Sequence, residues 1–138
     1  MPAKDTIHDA VKTALIKDGW TITHDPFLIR FGGKRLLADL GAERPIAAEK
    51  NGRKIVIEIK GFSRPSVIAD LEQAIGQYSL YSLALSKVEP DRSLYLAVDK
   101  AVFERVFDTV SGHMVIEGFA LNILIVDLAV QEVIKWIP

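Results

Sequence analysis

The stretch EKNGRKIVIEIKG, Glu49 to Gly61, decides how this chain folds. Asn51-Gly52 at its centre is the strongest short hairpin signal, because a two-residue turn of the favoured twist needs positive φ at both positions. The run after it is apolar except at its end, where Glu58 and Lys60 stand two apart. Side chains alternate along a strand, so Lys54, Val56, Glu58 and Lys60 share one face and Ile55, Ile57 and Ile59 the other. A two-residue turn at Asn51-Gly52 sets Glu49 opposite Lys54, Ala47 opposite Val56 and Pro45 opposite Glu58. Extended further, that register brings Glu43 opposite Lys60, and Asp39 has the same parity. The strand end is therefore either an ordinary solvated edge or a place where two carboxylates and an ammonium meet.

Working outward, DTIHDAVKTALIKDGW carries Ile7, Ala10, Val11, Ala14 and Leu15 at helical spacing, with Gly19 as a stop. TITHDPFLIRF reads as a strand broken at Asp25-Pro26, Gly32-Gly33 as a turn, and KRLLADLGA as a further strand. Ser66 can cap a long helix, VIADLEQAIGQYSLYSLALSK. Its buried stripe is expected to be Leu71, Ala74, Ile75 and Tyr78, with Asp70, Gln73 and Gln77 on a separate polar face. RSLYLAVD is a strand, Asp99 is placed to cap the helix KAVFERVFDTV, and LNILIVDL and EVIKWI form a closing strand pair. The expected order is α-β-β-β-α-β-α-β-β, an α/β fold with a mixed sheet flanked by helices.

The 138 residues fit one domain, 1–138, and no linker or repeat interrupts them. With 49% hydrophobic and 25% charged residues the chain has the balance of a soluble globular protein. No run suggests a membrane span and no signal pattern opens the chain, so a cytoplasmic address is expected. The absence of cysteine excludes disulfides, thiolate metal sites and cysteine nucleophiles. Net charge is −1, but Arg30–Arg64 alone carries +5 and the remainder −6. Such a local basic field can attract a polyanion such as DNA.

Asp39 and Glu58 can hold Mg²⁺ through oxygen, with Glu43 as a second-rank ligand. Lys60 can stabilise charge on a phosphoryl group or help orient attacking water, and Gln77 can orient the lysine or the ligand. His8, His24 and His113 have no zinc spacing, and His8 and Asp9 read as helix-surface residues. Tyr78 and Tyr81 read as packing residues, Trp20 and Trp136 as core or interface anchors. No P-loop and no nucleophile elbow are present.

Asp39 followed by Glu58-x-Lys60 in this element order resembles the PD-(D/E)XK, restriction-endonuclease-like superfamily, although Ala38 replaces the proline of that motif. A fuller resemblance runs through KDTIHDAVKTALIKDGWTITHDP, DLGAERPIAAEKNGRKIVIEIKGF, DLEQAIGQYSLY, LYLAVD and VIKWI. These segments resemble XisH, the fdxN element excision controlling factors of cyanobacteria. The resemblance implies a role in developmentally regulated DNA excision, beside a site-specific recombinase and a companion protein, XisI. Two functions follow as expectations: a Mg²⁺-dependent endonuclease, or a non-catalytic accessory protein that binds XisI or the recombinase, alone or as an oligomer.

Overall fold

A computed structural model describes residues 4–35, 45–62 and 65–138. Helix α1 (Lys4–Lys17) leads into the short strand β1 (Thr21–His24), and β2 (Arg30–Phe31) and β3 (Lys34–Arg35) make a separate two-stranded ribbon around Gly32-Gly33. The chain then forms β4 (Ile46–Lys50), β5 (Arg53–Ile59), the long helix α2 (Val67–Val88) and β6 (Arg92–Asp99). A short helix α3 (Lys100–Val102) runs into a π-helical turn at Phe103–Phe107. Helix α4 (Val110–Gly118) and the strands β7 (Ile123–Asp127) and β8 (Glu132–Ile137) complete it.

Six strands form one mixed sheet in the order β1-β4-β5-β6-β7-β8. Strands β5, β6 and β7 are parallel, while β1, β4 and β8 run antiparallel to their neighbours. The β4–β5 ladder pairs Glu49 with Lys54, Ala47 with Val56 and Ile46 with Ile57, the register that the Asn-Gly turn predicts. Asn51 at φ 51° and Gly52 at φ 81° supply the two positive dihedrals. Central parallel strands are covered on both faces, hence the near-continuous apolar runs of β5 and β7.

Each face has its own core. Ile55, Ile57 and Ile59 pack with Leu15, Trp20 and Leu124 beneath α1. Val56, Leu94 and Leu96 pack with Tyr78, Tyr81 and Phe107 beneath α2 and the π-helical turn. Ser66 caps α2 as expected, its Oγ accepting the Ala69 N–H at 3.1 Å. No helix among the described residues is long and apolar enough to cross a membrane.

Three expectations are corrected. The buried stripe of α2 is Asp70, Ala74, Gln77, Tyr78, Tyr81, Ala84 and Leu85, whereas Leu71 and Ile75 are only partly covered. The helix is rotated so that part of its polar face meets the sheet. Asp99 occupies the N-cap position of α3 without capping it; its Oδ1 accepts the Leu128 N–H at 3.2 Å. The predicted helix KAVFERVFDTV breaks at Asp108, and α4 follows it as an element the sequence reading did not contain. Gly112 permits the break: a Cβ there would lie 2.5 Å from Phe107 Cα. Of KRLLADLGA, the described strand is Lys34–Arg35, and the rest lies outside the described residues.

Candidate functional site

Glu58 is the decisive side chain. Strand alternation turns it toward α2 on the face of Val56, beside Leu96 of β6, and it is 2% exposed. A carboxylate buried among aliphatic strand neighbours is costly unless something there requires it, so Glu58 is no solvated edge. Its charge reaches the helix. Burial pushes the Tyr81 phenol well above the ordinary tyrosine range, and the nearby Glu58 carboxylate pushes it further. Tyr78 is raised as well, by burial first, against the lowering effect of the Asn122 N–H that it accepts.

Lys60 follows at the strand's end. Its N–H donates to Ala97 O at 3.0 Å, which continues the pairing of β5 with β6 one bond further and fixes the residue against the sheet. Its half-buried Nζ donates to Gln73 Oε1 at 3.3 Å. Gln73 lies one turn into α2 from Asp70 and one turn before Gln77. Asp70 (3% exposed) and Gln77 (8%) are buried with Glu58, the described buried polar side chains of the molecule. Strand β5 and helix α2 thus press a polar layer, Glu58, Asp70 and Gln77 with Lys60 and Gln73 beside it, into an otherwise apolar interface.

Among the residues expected to carry chemistry, Glu58, Lys60 and Gln77 fall in this layer. Lys60 is held by Gln73, one turn from the expected Gln77. Asp39 and Glu43 lie outside the described residues, as does their convergence on Glu58. Sequence reading put Gln73 on the polar face of the helix without a role beside Lys60, and it did not foresee the burial of Asp70. Their spacing of three, together with Gln77, was a usable signal, since it repeats at the helix period on the side that carries Tyr81.

The donor set is hard oxygen and amide. Among the described residues no three His, Cys, Asp or Glu side chains gather into a metal cluster. One buried carboxylate beside an ammonium fits Mg²⁺, which is bound through one or two carboxylates, keeps several waters and engages phosphate. It does not fit zinc. The histidines are scattered: His8 pairs with Asp25 at 2.8 Å, His24 with Thr23 Oγ1 at 3.0 Å and His113 with Asp108 at 3.1 Å.

Part of the basic segment is engaged elsewhere. Lys50 donates to Asp18 O, Arg53 donates to Tyr95 Oη at 3.4 Å, and Lys54 pairs with Asp91 at 3.4 Å. All three stand at the turn end of the hairpin, some ~20 Å of strand away from Lys60. Their charge is built into the fold more than into the site.

A mixed six-stranded sheet between helices defines an α/β protein that carries a buried carboxylate and a half-buried ammonium at the end of a central strand. The sequence matches the family described as XisH protein over residues 1–134, and the chain belongs to the XisH family. A solved XisH family protein from Nostoc punctiforme PCC 73102 is 37% identical, with a TM-score of 0.88 over 97% of this chain and 100% of that one. A fdxN element excision controlling factor protein from Anabaena variabilis is 39% identical, with a TM-score of 0.88 over 98% of this chain and 100% of that one. No curated protein matches the sequence at a significant level.

Proposed function

We propose that this protein takes part in excision of a genomic DNA element, the role named for its Anabaena variabilis relative, as a Mg²⁺-dependent phosphodiesterase of restriction-endonuclease-like type. The observation that carries the reading is the burial of Glu58 two residues before a lysine whose ammonium is held by a neutral amide. Gln73 orients that ammonium without neutralising it, so its charge stays available to a phosphoryl group. Glu58 supplies an oxygen ligand at a fixed position, with Asp39 the proposed second ligand and Glu43 a third. When bound, Mg²⁺ supplies charge stabilisation at the phosphoryl oxygens. Gln77, one turn beyond Gln73 on α2, would orient the lysine or the ligand.

The test is cleavage of supercoiled, linear and branched DNA with Mg²⁺ or Mn²⁺. Wild type is expected to cut only with metal, and Lys60→Ala and Glu58→Gln to lose at least about a hundredfold in rate. Metal-independent cutting, or full activity in Lys60→Ala, would remove the site.

A second reading is an accessory protein that holds an XisI-like companion or a recombinase. Helix α4 favours it: Val110 (82% exposed) and Met114 (67%) stand one turn apart, with Phe119 (54%) just beyond the helix. Such an apolar surface fits a partner better than water. Wild type that never cuts DNA, yet co-purifies with XisI until Met114→Glu is introduced, would select this reading.

A further inference from the structure

The parallel strands β5, β6 and β7 end side by side, and a cavity of about 510 Å³ opens beyond them with α1 along one side. In α/β sheets this is the edge where ligands collect, outside the carboxyl ends of the strands. The volume is that of a small-molecule pocket, roughly 300–1,000 Å³. Val11, Ile59, Ala97 and Val126 make its walls apolar.

Lys60, Asp99, Lys100 and Asp127 stand around it. The two carboxylates serve the backbone. Asp99 Oδ1 accepts the Leu128 N–H at 3.2 Å, and Asp127 Oδ1 accepts those of Ala129 at 2.9 Å and Val130 at 3.3 Å. Those bonds staple the β7–β8 turn and spread the negative charge over N–H donors. Of the two ammonium groups, that of Lys60 donates to Gln73 of α2, and that of Lys100 is exposed. Among the described residues neither pairs with a carboxylate, and Lys60 makes one long bond to a neutral amide.

We propose that this cavity is a binding site for a small organic anion with an aliphatic body, its head group held by Lys100, with Lys60 at the same rim, and its chain lying on the walls of β5, β6, β7 and α1. Among the described residues no aromatic side chain lines the cavity, so a flat base finds no stacking partner among them. An aliphatic carboxylate meets apolar walls along its chain and cations at its head.

Calorimetric titration with decanoate tests this, with decanol as the uncharged control and no DNA present, so that its outcome is separable from that of the cleavage assay. Decanoate is expected to bind saturably and more tightly than decanol. Lys100→Met should weaken it about tenfold, the worth of one charged hydrogen bond. Ala129→Trp, at an exposed rim position, should abolish binding, and Ala101→Trp on the opposite rim repeats the block if the first variant fails to fold. Absence of saturation, equal affinity for decanol, or unchanged binding in a folded rim variant would overturn the proposal.

Discussion

Tyr81 and Glu58 face the same buried layer, and the phenol bears the cost. Its Oη is fully buried and has no hydrogen-bond partner among the described residues. An unsatisfied buried hydroxyl is destabilising by about 1–3 kcal/mol, so Tyr81→Phe should raise stability at neutral pH by about 1 kcal/mol in urea melts. The phenol pKa is raised in the fold, by burial and then by Glu58. The neutral form is therefore favoured by folding, and that contribution is complete below the unfolded value of about 10. It is lost as pH climbs from there through the folded value. Wild type should lose stability on the alkaline side from about pH 10, and Tyr81→Phe should show a shallower alkaline limb.

At the level of elements, α2 and α4 are each secured by a short local device. Ser66→Ala removes the oxygen that accepts the Ala69 N–H and should cost about 1 kcal/mol. Cleavage per folded molecule should not change, because Ser66 lies outside the polar layer. Gly112 is more exacting. Its missing Cβ lets α4 pass over the backbone of Phe107, and Gly112→Ala should cost about 3 kcal/mol, read as a lowered melting temperature. A third device sits between β5 and α2, where Phe62 is held at φ +51°, a strained setting for a bulky residue. Its ring packs edge-on against Phe107 at 5.6 Å and its carbonyl accepts from Arg105 Nη2 at 3.3 Å. Arg105→Ala should therefore loosen the turn that follows Lys60, with faster amide hydrogen exchange at Gly61 and Phe62 as its signature.

Across the whole molecule, one carboxylate joins the first helix to the last strand. Asp18 Oδ2 accepts from Trp20 Nε1 at 3.2 Å and from Trp136 Nε1 at 3.4 Å, and the two indoles pack 5.4 Å apart. Asp18→Ala strands both N–H groups. It should cost about 2 kcal/mol and shift tryptophan emission to the red as β8 loosens against α1. The expected anchoring role of Trp20 and Trp136 was legible as residue type; their common acceptor was not, because 118 positions separate Asp18 from Trp136.

Local chemistry wrote much of this protein plainly. The Asn51-Gly52 turn set the β4–β5 register, alternation along β5 put Glu58 opposite the isoleucines, and Ser66 announced the start of α2. These follow from dihedral preference and a period of two, which act over a few residues. Tertiary structure decided what such rules cannot reach. It rotated α2 so that Asp70 and Gln77 were buried with Glu58, gave Lys60 to Gln73, took Asp99 from its helix to hold the β7–β8 turn, and opened a cavity between α1 and the ends of three strands. Each depends on which face of one element meets another distant in sequence. That choice is made by packing the whole sheet and its helices at once, where burying the aromatic and aliphatic stripe outweighs the cost of carrying polar neighbours inside with it.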